Sequence, residues 1–147
     1  MKTYFLTALL LGGSTMATEI QNKNETALLA GGCFWCLESA FEKLDGVQDV
    51  ISGYAGGTEA DPTYKNYADS NHVETIKIIY DPQKISYSQL LEIFWRNIDP
   101  TDKDGSFGDR GPYYRSIIFY FNEEQKKKQK NLKKIRTIKT LFKTYCH

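Results

Sequence analysis

Ala27-Leu28-Leu29-Ala30-Gly31-Gly32-Cys33-Phe34-Trp35-Cys36, continuing as Leu37-Glu38-Ser39-Ala40-Phe41-Glu42-Lys43-Leu44, is the stretch from which the rest of the chain is read. The apolar run reads as a strand, the two glycines break it, and Leu37, Ala40, Phe41 and Leu44 recur at helical spacing. Cys33 is thereby placed at or near a helix N-terminus. Free backbone N–H groups and the positive end of the dipole favour an anion there, and the thiolate is the nucleophilic form of cysteine. The competing use of Cys33 is as a small buried hydrophobe, but the strand–Gly-Gly–Cys–helix placement favours a nucleophile. Phe34 and Trp35 either line a small apolar pocket beside that sulfur or anchor the helix in the core. Cys36, three residues on, is either a redox partner or a small core residue.

Working outward, Asp45-Gly46 stops the helix and Val47 to Tyr54 reads as a strand broken by Ala55-Gly56-Gly57. Residues 58–71 form a polar loop carrying Pro62, Tyr64 and Tyr67. Val73 to Tyr80 alternates as a strand and ends at Asp81-Pro82. Ser86 is placed to cap a helix running to about Asn97, with Leu90, Leu91, Phe94 and Trp95 on one face. A glycine-rich loop follows over 101–112, then a strand from Tyr114 to Phe121, then a helix opened by Asn122 or Glu123. This order predicts an α+β fold, a two-layer sandwich with a ferredoxin-like β-α-β-β-α-β core.

The 147 residues suit one domain. The net charge of +1 is unevenly spread: residues 1–122 carry −6 and residues 123–147 carry +7. A nucleic-acid reader carries its basic surface on the folded domain, so no nucleic-acid partner is expected. Lys2, the apolar run Phe5 to Leu11 and the small residues Ser14-Thr15-Met16-Ala17 read as a signal peptide over 1–17, too short to span a bilayer. The expected organisation is that leader, a linker over 18–26, a domain over 27–125 and an atypical basic tail over 126–147. The expected location is exported, periplasmic or secreted. Leu132, Ile135, Ile138, Phe142 and Tyr145 recur at roughly helical spacing, so the tail reads as a basic amphipathic helix, or else as a truncated or frameshifted ending.

Three cysteines are too few for a disulfide scaffold and leave an odd thiol. His72 and His147 are the only histidines and the cysteines lack zinc spacing, so no metal site is expected. Glu74, near the start of a strand, would donate a proton if it faced the site in a desolvated setting; spacing alone favours a solvated strand-edge carboxylate. Asp109, in Gly108-Asp109-Arg110-Gly111, has an equally good use as a turn residue. Tyr64, Tyr113 and Tyr114 stand in polar loops or at strand entries, where packing roles are harder to assign. Cys33-Phe34-Trp35-Cys36 also fits a thioredoxin-type Cys-x-x-Cys motif, though no βαβ unit precedes it.

Taken together, Gly31-Gly32-Cys33-Phe34-Trp35, Glu38, Gly46-Val47, Gly53-Tyr54-Ala55-Gly56-Gly57, Pro62-Thr63-Tyr64, Asn71-His72-Val73-Glu74, Tyr80-Asp81-Pro82, Asp99-Pro100-Thr101 and Gly108-Asp109-Arg110-Gly111-Pro112-Tyr113-Tyr114-Arg115-Ser116 resemble the A-type peptide methionine sulfoxide reductases. The resemblance runs in order from about Ala27 to Gln125. It implies thiol-dependent reduction of methionine S-sulfoxide, free or in proteins, through a cysteine sulfenic acid and a disulfide. Cys33 would be the nucleophile, Phe34 and Trp35 the seat of the S-methyl group, and Glu74 the proton donor to the sulfoxide oxygen. Tyr64 and Tyr114 would hydrogen-bond that oxygen, with Asp109 a supporting polar group. No cofactor is implied beyond an external thioredoxin-type or dithiol reductant, and the molecule would be a monomer. Many members carry a small residue where Cys36 stands and resolve with a cysteine near the C-terminus; here Cys36 and Cys146 are both candidates. The alternatives are a general thiol–disulfide oxidoreductase using Cys33 and Cys36, or an inactive reductase acting as a binding module through its basic tail.

Overall fold

The alternation from Val73 to Tyr80 does become a strand in the computed structural model of the chain, which describes residues 23–129 and 136–139. In chain order the elements are β1 (Glu25–Ala30), α1 (Phe34–Phe41), β2 (Val47–Ala55), β3 (Val73–Tyr80), α2 (Tyr87–Arg96), the two-residue strands β4 (Gly105–Ser106) and β5 (Asp109–Arg110), a 3-10 turn (Pro112–Tyr114), β6 (Ile117–Tyr120), α3 (Glu123–Gln129) and β7 (Arg136–Lys139). One sheet has the order β2-β3-β1-β6-β7, and β4 pairs with β5 as a separate hairpin. The pairs β2–β3, β3–β1 and β1–β6 are antiparallel. This is the expected β-α-β-β-α-β layer order, with the two helix connections returning to one face.

The period-two pattern decides what each strand face buries. Ala27, Leu29, Ile76, Ile78, Tyr80 and Ile118 pack under Phe34, Leu37 and Phe41 of α1 and Leu90, Leu91 and Phe94 of α2. The opposite face holds a smaller cluster of Leu28, Ala30, Ala55, Val73, Ile117 and Phe119. Helix α2 opens on a reciprocal cap: Ser86 Oγ accepts from the Gln89 N–H, and Gln89 Oε1 accepts from the Ser86 N–H at 2.9 Å.

Four boundaries differ from the sequence expectation. Helix α1 starts at Phe34, a turn earlier than its apolar spacing, and ends at Phe41. Strand β1 starts at Glu25, inside the stretch read as linker, where it pairs with Tyr80 and accepts the Tyr80 hydroxyl at 2.7 Å. Strand β6 starts at Ile117 and not Tyr114, because Gly111 at φ 125° and Pro112 set up the 3-10 turn first. In the basic tail, the helical reading fails over Arg136–Lys139, which pair parallel with Ile117–Tyr120. That edge of β6 offers unpaired ladder groups, and the β-branched Thr137 and Ile138 suit an extended chain. The expected leader, residues 18–22 of the expected linker, and Cys146 lie outside the described residues.

Candidate active site

Strand register explains why Cys33 and Glu74 meet. Leu29 pairs with Ile76 across the antiparallel β1–β3 ladder, so the residues just beyond β1 run alongside the start of β3. Glu74 shares a face with Ile76, Ile78 and Tyr80, the face covered by α1, and is 2% exposed. It is therefore no strand-edge carboxylate in water. Strand β6 approaches the same end from the other side: Ala30 pairs with Ile117, and the Gly32 N–H donates to the Tyr114 carbonyl at 2.9 Å.

Cys33 is the N-cap of α1, with extended backbone and no side-chain capping bond. Its carbonyl accepts from Cys36 and Leu37, while two neighbouring amides turn to carboxylates. The Cys33 N–H donates to Asp109 Oδ2 at 3.0 Å and the Phe34 N–H donates to Glu74 Oε2 at 3.0 Å. Orphan donors of the helix start thus hold both predicted acidic residues beside the thiol. Gly32 makes this approach workable. Its φ is +88°, and a Cβ there would sit 3.0 Å from Asp109 Oδ2 and 3.1 Å from Ser106 Cβ. Ser106, 1% exposed, accepts the Asp99 N–H at 3.1 Å and so ties the β4–β5 hairpin beneath Gly32.

The aromatic pair after Cys33 splits its roles. Phe34 is 1% exposed and belongs to the core, whereas Trp35 is 60% exposed. Trp35 lies parallel to Tyr64 with ring centroids 6.5 Å apart. A tight turn carries Tyr64: Asn66 Oδ1 accepts from the Thr63 N–H at 2.6 Å and its hydroxyl at 2.9 Å. Tyr67, three residues after Tyr64, falls on the same side of that turn and stacks on Tyr54 at 4.5 Å. Tyr113 meets Tyr67 edge-on at 5.8 Å and Tyr114 at 4.8 Å. Rings from α1, β2, the 58–71 loop and the 3-10 turn thus form one continuous wall.

Tyr67 is the group that sequence reading passed over. Its hydroxyl donates to Glu74 Oε1 at 2.9 Å, and the side chain is 7% exposed. The only signal for it was its spacing of three from Tyr64. His72 braces the same loop: Nδ1 accepts the Gly57 N–H at 3.2 Å, which leaves the proton on Nε2 to donate to the Glu59 carbonyl at 3.0 Å.

Burial, then the charge of Glu74, pushes the Tyr54 phenol up to about 12. Burial also raises Tyr67, reinforced by its bond to Glu74, and raises Tyr114, reinforced by the charge of Glu74. These phenols stay protonated at neutral pH and remain hydrogen-bond donors. The Cys36 thiol is raised by desolvation, then by the neighbouring Cys33 sulfur, and further by Asp109 and Glu74. Both Cys33 and Cys36 are free thiols.

A thiol at a helix start, a buried carboxyl group on the next amide and a wall of phenols can attack a small polar substrate and deliver a proton to it. A model of the peptide methionine sulfoxide reductase family matches residues 25–146. Peptide methionine sulfoxide reductase MsrA of Streptococcus agalactiae is 52% identical over 104 residues, 69% of this chain and 62% of that protein. The chain therefore spans about 62% of the length of that relative. Among solved structures, methionine sulfoxide reductase A of Corynebacterium diphtheriae superposes with a TM-score of 0.69 at 29% identity, covering 76% of this chain and 53% of its own. Mxr1 from Saccharomyces cerevisiae matches in its reduced form (TM-score 0.69, 29% identity, 78% of this chain and 74% of that one). Mxr1 in complex with Trx2 also matches (TM-score 0.56, 25% identity, 83% and 78%). From the start of β1 through the cysteine helix and beyond β6, the chain belongs to the peptide methionine sulfoxide reductase family.

Proposed function

We propose that the chain reduces the S epimer of methionine sulfoxide, free or within proteins, with Cys33 as nucleophile and Glu74 as acid. The observation that carries this reading is the Phe34 N–H bond to Glu74 Oε2, which puts a buried carboxyl group one residue from the thiol. The Cys33 thiolate attacks the sulfoxide sulfur while Glu74 protonates the oxygen, whose developing charge Tyr64 and Tyr114 receive as donors. Attack and protonation give a sulfurane in which Cys33 is bonded to the methionine sulfur; its hydroxyl then passes to the Cys33 sulfur as the methionine S–O bond and the new S–S bond both break, which releases the thioether and leaves Cys33 as a sulfenic acid. Trp35, backed by the buried Phe34 ring 5.5 Å away, supplies the apolar side that accepts a methyl group, and Asp109 holds the Cys33 backbone.

Cys36 is the resolving thiol in this reading. It stands one turn on from Cys33, with its N–H on the Cys33 carbonyl at 3.1 Å and its thiol perturbed by the Cys33 sulfur, which supports direct condensation to a disulfide with loss of water. A dithiol then reopens that disulfide; the complex of the yeast relative with Trx2 supports a thioredoxin-type donor. The leader-like pattern over residues 1–17 supports export to the periplasm or beyond. The same nearness of two thiols favours a second reading, general thiol–disulfide exchange.

Incubating the purified chain with each epimer of a chromophoric methionine sulfoxide and a dithiol, beside an insulin-reduction assay, separates the two. Turnover of the S epimer without insulin reduction is expected, and it disappears in Cys33→Ser with the circular-dichroism spectrum unchanged. In mass spectra taken without reductant, the parent should lose two hydrogens on reaction, whereas Cys36→Ser should retain one added oxygen. Insulin reduction without sulfoxide turnover would replace the reductase reading with the exchange reading.

A further inference from the structure

We propose that Tyr67 is a positioning residue for the acid, its hydroxyl fixing the Glu74 carboxyl oxygen that Phe34 does not hold. This rests on the reductase reading above. Glu74 is held at both oxygens, by the Phe34 N–H on Oε2 and the Tyr67 hydroxyl on Oε1. Two donors on two oxygens leave the carboxyl plane little freedom, and a general acid works only from a narrow range of positions. Tyr67 is itself held rigidly, stacked on Tyr54, edge-on to Tyr113 and 7% exposed. Its backbone is pinned too, since its N–H donates to the Thr63 carbonyl and its carbonyl accepts from His72.

Tyr67 and Tyr114 also stand close enough for each phenol to shift the other. Tyr114 is held near the acid through the Tyr113 ring, which meets both tyrosines edge-on. After Glu74 has delivered its proton, the carboxylate that remains still accepts from Tyr67 and Phe34, which stabilises the product state. Other groups that face Glu74 include Tyr54 across the β2–β3 pair, Cys36 on α1 and Tyr114.

Tyr67→Phe removes the hydroxyl and keeps the ring stack, so it separates positioning from packing; Tyr67→Leu removes both. For Tyr67→Phe, kcat on the plateau should fall about tenfold with KM within a factor of about two. Loss of a donor to the carboxylate should also move the basic limb of the pH–rate profile upward by about one unit. Difference infrared spectroscopy of the carboxyl stretch, with Glu74→Gln as the subtraction standard, should show the same upward movement. A purely structural role would leave kcat and the midpoint of Tyr67→Phe at parent values while Tyr67→Leu melts early, and that result overturns the proposal alone. A parent chain without sulfoxide turnover overturns the reductase reading and this role with it.

Discussion

Replacing Glu74 by Gln tests the chemistry most directly. The variant keeps the volume of a side chain that is 2% exposed, so the pocket should not collapse or fill with water. Its hydrogen bonds also survive with one rearrangement. The Phe34 N–H can only donate, so the new amide oxygen must face it; the amide N–H₂ then faces Tyr67, whose hydroxyl turns to accept. Stability should therefore change by no more than about 1 kcal/mol. What disappears is the proton. General acid catalysis contributes roughly 10²–10⁴ in rate, and burial denies water an easy route to replace it. We expect kcat for sulfoxide reduction to fall about 10²–10³-fold, about 3–4 kcal/mol of barrier, with KM little altered. In the parent, kcat should fall as pH rises, because only the protonated carboxyl group donates; in Glu74→Gln that basic limb should vanish. Steady-state reduction of a chromophoric methionine sulfoxide across pH 5–10 or so reads both effects. A variant with kcat within a factor of about two of the parent and its basic limb intact would refute the assignment of the acid.

Two further predictions follow from packing and burial. Gly32→Ala should destabilise the fold by about 1–2 kcal/mol, because its φ of +88° is left-handed and its Cβ would press on Asp109 and Ser106. A thermal melt should show the loss as several degrees, and an unchanged melting temperature would contradict the geometry at the cysteine loop. Tyr54 and Tyr87 are pushed up to about 12 from an ordinary value of 10, by burial first. The folded state then holds protons that the unfolded chain releases near pH 10. That stability contribution is fully present below pH 10 and lost as pH rises from 10 to about 12. Phenolate absorbance should therefore show a late-titrating class in buffer that merges with the rest in guanidinium; uniform titration near 10 in buffer would refute the burial of these rings.

Much of the architecture was legible because its signals are local. The alternation from Val73 to Tyr80 fits only a strand with one face on the core, and Ser86 with Gln89 announces a helix start by chemistry that acts within one turn. Gly31-Gly32-Cys33 ahead of a helical repeat likewise locates the thiol at a helix N-terminus, where it is found. Other features were hidden because they depend on partners distant in the chain. Glu74 reads as a surface carboxylate until β3 pairs with β1 and carries it under α1. The tail shows helical spacing, yet residues 136–139 pair with β6 because an exposed strand edge competes with local periodicity.

The order of strands and helices, and the thiol at the helix start, are properties of the amino-acid sequence itself, since side-chain period and glycine placement act over a few residues. The Glu74 carboxyl group beside the cysteine, the split of Phe34 into the core and Trp35 onto the surface, and the bond from Tyr67 to Glu74 belong to the tertiary structure alone. Forty residues separate Phe34 from Glu74 along the chain. Only ladder register and burial bring them within 3.0 Å, because hydrogen bonds between strands translate a position in one segment into a neighbour in another.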